Sequence, residues 1–200
     1  MPGPVPPSQG KLLYHITHID NMPSILRSGL MPRKKLQKLK ENKFVDIACP
    51  DILSKRETYK EALSKYVPFH FFAKNPFDGC VCKDHGSDNM VIITILRELH
   101  KRCDFYIIPS HPLNKDTPDI YDYTEGLKEI RWDILDGEIE RDYHDPEIRK
   151  ACMAECIVPH VIPCKAFFKV YVFDKNVKKK IMAMENSESI DIVVNPNMFP

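Results

Sequence analysis

The chain has 200 residues, 43% apolar and 28% charged, with 29 Lys and Arg against 28 Asp and Glu and a net charge of +1. That length predicts one domain with a sizeable core, and the balanced charge excludes a histone-like polycation, so any nucleic-acid surface must be a local patch. Seven cysteines, an odd number, without a secretory apolar stretch or a membrane-length run, favour free thiols in a reducing cytoplasm over disulfides.

The opening MPGPVPPSQG carries prolines that remove backbone donors and fix φ, so residues 1–10 read as an arm at the surface and residues 11–200 as the folded domain. Residues 11–16 are short, aromatic and apolar, which predicts a strand. Asp20 is a candidate N-cap for a helix through Met22, Ile25, Leu26 and Leu30, with Gly29 as its stop. Residues 33–43 are dense in lysine, and 51–66 read as a helix carrying Arg56. YVPFHFF, NMVIITIL and CDFYII predict three strands, the second branched enough to be buried on both faces. Residues 109–150 read as a long irregular polar connection, of the kind compact domains keep for function. ECIVP and FFKVYVF predict two more strands with a charged helix or tail behind them. There is no internal repeat and no clear linker. The expected class is a mixed α and β domain with a mainly antiparallel sheet.

Several residues stand out chemically. His15 and Thr17 are two apart on a strand and so face the same way; they can grip an amide or a ribose diol, or the histidine can simply cap the turn. Lys55 and Arg56 form either a solvated face or, if turned inward, an anion grip. Cys80, Cys82 and His85 in CVCKDHG lack the spacing of common zinc knuckles, and no second ligand pair follows, so the expectation is no metal. Lys34, Lys35, Lys38, Lys40 and Lys43 are a soluble face or a phosphate-tracking surface, to which Tyr121 and Tyr123 could add rings for base stacking. Glu155, in ACMAECIVP, opens a strand-like run where Val or Thr would fit the sheet better. It is placed either to act as a base or cation stabiliser, or to pair with a nearby Lys or Arg.

Three segments in order, LYHITHIDNMPSILRSGL, YVPFHFFAKNP and RKACMAECIVPHVIP, resemble the DarT family of toxins that ADP-ribosylate bases in single-stranded DNA using NAD. The resemblance covers nearly the whole chain beyond the arm. It implies an α+β, single-domain ADP-ribosyltransferase fold, with a split, mainly antiparallel sheet flanked by helices and NAD wedged between its halves. It also implies that His15, Ile16 and Thr17 contact the nicotinamide side of NAD, Ile16 through its backbone, and that Ser24 is a further NAD position. Arg56 matches the catalytic, NAD-binding arginine, although the family usually shows two adjacent arginines after an Asp-Ile pair and here the first is Lys55. Glu155 matches the catalytic glutamate, and His111 falls near an active-site histidine. Residues 103–154 correspond to the loop that holds the target base.

On that footing the carboxylate has a reason to open a strand. Breaking the nicotinamide–ribose bond builds positive charge on the sugar, which a nearby anion stabilises. The same carboxylate can take a proton from the incoming base nitrogen. A base must be unstacked to reach the sugar, and a single strand supplies that without a large basic surface. Further implications are thymidine or guanosine as target, a DarG-like macrodomain antitoxin with ADP-ribosyl-hydrolase activity as partner, a cytoplasmic location and no membrane contact. An RNA or protein acceptor on the same fold, or an inert nucleic-acid binder with a relict NAD pocket, are the alternatives.

Overall fold

In the computed structural model, which describes residues 5–39, 44–58, 63–113 and 119–200, β1 (Leu12–His18) leads through a 3-10 turn into α1 (Met22–Ser28). Then come α2 (Arg33–Leu36), α3 (Pro50–Thr58), β2 (Val67–His70), α4 (Pro76–His85) and β3 (Met90–Leu96). After β4 (Tyr106–Ile108) and β5 (Tyr121–Asp122) follow α5 (Tyr123–Glu129), α6 (Trp132–Leu135) and α7 (Pro146–Ala151). The chain ends with β6 (Glu155–Val158), β7 (Phe167–Val172), α8 (Lys175–Met182) and β8 (Ile192–Val194). Among the described residues no helix is long and apolar enough to cross a membrane.

The eight strands form one sheet in the order β5-β4-β6-β2-β1-β3-β7-β8. Every pairing is antiparallel except β7 with β8, so the mainly antiparallel expectation holds. β3 lies inside the sheet between β1 and β7, and six of its seven residues are buried, Val91, Ile93 and Ile95 in one apolar cluster and Met90 and Ile92 in another. Thr94 is tolerated in that interior because its hydroxyl donates to the Lys169 carbonyl at 2.8 Å and accepts from the Lys169 amide at 3.1 Å. Those bonds sit at the register shift between Thr94 and Ile95 and satisfy groups that would otherwise be left unpaired.

Four readings of the sequence are corrected. β1 runs on to His18, so His15 and Thr17 lie inside the strand and not at its end. Asp20 is not the cap of α1; it sits in the 3-10 turn, and the N-cap residue Asn21 makes no side-chain cap bond, its Oδ1 accepting the Val45 amide instead. The described part of the polar connection carries β5 and the helices α5, α6 and α7, while 114–118 fall outside the described residues; none of these elements exceeds seven residues, too few turns for an apolar period to register. The charged tail does form the helix α8, with Val177 and Ile181 one turn apart against the core, but beyond it the short apolar run of β8 adds a parallel edge strand. The parts of the lysine run at Lys40 and Lys43 and of the 51–66 helix at 59–62 fall outside the described residues.

Of the arm, residues 7–9 form a 3-10 turn. Ser8 donates its amide to Asp136 at 2.8 Å, and the buried Arg97 reaches the Pro7 carbonyl at 2.8 Å while lying over the Phe71 and Trp132 rings. This fastens the start of the chain to α6. On the same side of the molecule, α5 lies so close to β4 that a Cβ on Gly126 would sit 2.3 Å from Ile107 Cβ. Gly126→Ala is therefore expected to lower stability by about 2–3 kcal/mol, seen as a lower urea midpoint with an unchanged slope.

Candidate active site

The sheet is weakest at its middle. β1 and β3 are registered over seven residue pairs, β1 and β2 over one, Tyr14 opposite His70. Pro68 in β2 has no N–H to donate; its carbonyl instead receives Nδ1 of His15 across the seam at 2.8 Å. The sheet thus divides into the half β5-β4-β6-β2 and the half β1-β3-β7-β8, joined by a thread of hydrogen bonds, as the implied split requires. A cleft opens along this seam.

Into the cleft come the residues that the family resemblance assigned to the site: His15, Ile16 and Thr17 from β1, Ser24 from α1, Arg56 from α3, His111 from the segment after β4, and Glu155 from the start of β6. They span most of the chain, and only the fold brings them together. Thr17 and α1 are tied to the rim by Asn21, whose amide donates to Thr17 Oγ1 at 3.1 Å and to the Val45 carbonyl at 2.9 Å while accepting the Val45 amide at 2.7 Å. Asn21 was missed in the sequence because an Asn at a helix start reads as a cap and nothing more.

Glu155 lies between two partner strands, with Ile108 of β4 on one side and His70 of β2 on the other. Its side chain is 4% exposed and Arg56 reaches it from α3, Nη1 to Oε1 at 2.9 Å and Nη2 to Oε2 at 3.0 Å. Of the two sequence readings of Glu155, the structure shows the pairing with an arginine, and it places that pair in the cleft. Lys55, one residue earlier, is exposed, so the register that puts arginine inward is Arg56. Burial alone would raise the Glu155 carboxyl; the charge and hydrogen bonds of Arg56, with His70 and His111 adding, more than reverse this and hold it below the ordinary carboxylate value. For Arg56 burial pulls the other way and Glu155 again wins, so the guanidinium is held charged more firmly than usual. The fork uses two of the five guanidinium N–H groups, and among the described residues the rest have no protein acceptor and are open to an anionic ligand.

Three histidines line the cleft, and their hydrogen bonds fix their tautomers. His15 donates Nδ1–H to the Pro68 carbonyl, and burial, with His70 adding, carries its pKa from 6.5 down to about 4 despite that bond and Glu155. His111 accepts the Leu113 amide at Nδ1 at 3.0 Å, so its proton is on Nε2; burial is the main cause of its lowered pKa. His70 donates Nδ1–H to the Ala154 carbonyl at 3.2 Å, so the lone pair of the neutral ring is on Nε2. Its signal in YVPFHFF is a single polar residue on an otherwise apolar strand, which sequence reading passed over.

Other candidates fall elsewhere. Tyr123 is buried, stacked on His100 with centroids 4.2 Å apart, so it offers no face to a base; Tyr121 is half-buried on β5. Lys34 and Lys35 lie on α2 and Lys38 just after it, and none of the three lines the cleft. All seven cysteines are free; Cys80 is exposed and Cys82 buried on α4. Among the described residues no group of three or more His, Cys, Asp or Glu is placed to hold a metal ion.

Comparison with known proteins bears on this arrangement. Residues 14–200 match the family model described as ssDNA thymidine ADP-ribosyltransferase, DarT. A DNA ADP-ribosyl transferase–DNA ADP-ribosyl glycohydrolase fusion protein of Thermosipho africanus is 27% identical over 94% of this chain, which spans 49% of that protein's length. A DNA ADP-ribosyl transferase of Thermus sp. is 23% identical over 85% of both chains. Among solved structures, Thermus sp. 2.9 DarT in complex with ADP-ribosylated ssDNA superimposes with a TM-score of 0.81 at 21% identity, covering 95% of this chain and 96% of that one. Thermosipho africanus DarTG in complex with ADP-ribose superimposes with a TM-score of 0.76 at 26% identity, over 95% of this chain and 51% of that one. With a sheet parted at its centre, an Arg–Glu pair in the parting and a family match from residue 14 to the last residue, the chain belongs to the DarT family.

Proposed function

We propose that this protein transfers ADP-ribose from NAD to a base, thymidine in the first instance, in single-stranded DNA, releasing nicotinamide. The observation that carries it is the bidentate Arg56–Glu155 pair in a cleft whose wall is the strand His15–Ile16–Thr17. His15 and Thr17, with Ile16 through its backbone and Ser24 from α1, hold the nicotinamide half of NAD. The Arg56 N–H groups outside the fork take the diphosphate, as a guanidinium suits phosphate oxygens. Glu155, kept anionic by that same arginine, faces the ribose as the pyridinium leaves and stabilises the positive charge that builds there. The nicotinamide carries away the bonding pair, and a base nitrogen attacks the sugar carbon it vacates. The segment from 103 to 154, which contributes His111, Leu113 and Met153 to the cleft, presents that base, and a single strand offers it already unstacked. A glycohydrolase of the kind fused to the Thermosipho relative is the partner that reverses the modification, and the cytoplasm, where the DNA is, is the site of action.

The test is incubation of the purified protein with labelled NAD and, separately, single-stranded DNA, RNA and protein acceptors. Label on oligonucleotides containing thymidine, with the mass of one ADP-ribose, is the expected result. Label on protein or RNA alone rejects the DNA reading; NAD binding without transfer to anything marks an inert binder.

A further inference from the structure

We propose that His70 is a catalytic residue, the proton acceptor for the incoming base nitrogen, and that Glu155 is left to serve the sugar cation alone. This rests on the base-transfer reading above and divides its chemistry between two side chains that meet across β2 and β6, where His70 and Glu155 are registered partners.

The inference comes from asking which group in the cleft can take a proton. An amide-like ring N–H is a weak acid, so the acceptor needs an available lone pair and an environment that welcomes the resulting charge. Glu155 has both oxygens bound by Arg56, and its carboxyl is held below its ordinary value, which makes it a better anion and a worse base. His111 carries its proton on Nε2, since Leu113 donates to Nδ1, so it can only donate toward a ligand. His15 has a lone pair on Nε2, but burial suppresses its protonation. His70 has Nδ1 anchored on the Ala154 carbonyl and no hydrogen-bond partner for Nε2 among the described residues. Two acidic side chains couple to its charge: Glu155 from β6, held anionic by Arg56, and Asp78 from α4, whose carboxyl burial pushes up while His70 pulls it back down. Asp78 is 3% exposed and held in place by the Lys74 amide at 2.8 Å. His15 and His111 face the same region, and the Phe77 ring lies 6.1 Å from that of His70.

In the step itself the C1′–nitrogen bond to nicotinamide breaks with its electron pair leaving on nicotinamide. The base nitrogen forms its bond to C1′, and its proton passes to Nε2 of His70. The imidazolium, whose charge Glu155 across the β2–β6 register favours, then returns the proton to water, so the net products are nicotinamide, one proton and the ADP-ribosylated base.

The experiment is single-turnover transfer by His70→Gln, which can still donate to the Ala154 carbonyl but has no basic nitrogen, together with NAD binding by calorimetry. Transfer to a thymine oligonucleotide should fall about 100-fold with NAD affinity changed less than about threefold. Replacing thymine by 5-fluorouracil, whose ring N–H is more acidic, should shrink that loss to about tenfold or less, because a nitrogen already inclined to ionise depends less on a base. Equal losses on both oligonucleotides, or near-normal transfer to thymine, overturn the assignment while leaving the base-transfer reading intact. Failure of the unaltered protein to modify either oligonucleotide overturns both.

Discussion

Replacing Glu155 with alanine is expected to reduce ADP-ribose transfer by about a thousandfold or more, the scale of removing a preorganised charge from a developing ion, while the protein stays folded. The second effect is on stability. Without Glu155 the Arg56 guanidinium is left against the sheet with no counter-charge. Breaking such a pair in a closed interior costs roughly 3–5 kcal/mol. Arg56 keeps 17% of its side chain exposed to the cleft and can turn toward water, so a loss of about 2 kcal/mol is expected, a drop of roughly 4–8 °C in melting temperature for a chain of this size. The double replacement Arg56→Met with Glu155→Met removes both charges and should recover most of that loss without recovering any transfer. Stability and activity are thereby separated on one pair of residues. Near-normal transfer by the alanine variant, with the fold intact, would remove Glu155 from the mechanism.

The frame of the fold was legible because the strands carry their own signatures. The branched run of β3 and the apolar β6 and β7 were each read as strands and are strands. What escaped was set by neighbours and not by local pattern. β8 is three residues long and exists because β7 offers it an edge. The helices of the 109–150 segment are too short to show a period, and α5 is defined as much by Gly126 fitting against Ile107 as by its own residues. Tyr123 looked like a stacking platform until His100 and Phe105 enclosed it. The site divides in the same way. Glu155 was visible as a residue in the wrong place for a strand, and Arg56 only through resemblance, since an arginine on a helix says nothing until the fold turns it inward. His70 and Asn21 gave no usable signal: one is an isolated polar residue in an apolar strand, the other a residue common at helix starts. Their roles come from the groups across the seam, the Ala154 carbonyl for one and the Val45 backbone for the other.

The seam also carries a pH dependence. His15 is held neutral by burial, with its pKa taken from 6.5 to about 4. In the unfolded chain it binds a proton near pH 6.5; in the folded protein it does so only near pH 4, so between those values the unfolded state binds more protons and stability rises with pH. As pH falls from neutrality, folding should lose about 2 kcal/mol at pH 5 and about 3 kcal/mol at pH 4 from this group alone. His111, also held below its ordinary value, slopes in the same direction. The Arg56–Glu155 pair acts lower: the Glu155 carboxyl is depressed below 4.5, so its contribution is complete above that pH and is lost only as the medium becomes more acid. Comparison with His15→Gln isolates the first term, because glutamine can still donate to the Pro68 carbonyl but cannot be protonated. Urea unfolding of the two proteins at pH 7, 6 and 5 should therefore diverge, the unaltered protein losing about 2 kcal/mol more than the variant by pH 5. Parallel curves would mean that the His15 ring is protonated in the folded state without cost. The strand that parts the sheet would then carry a cation into the cleft, beside the place proposed for the positive nicotinamide ring.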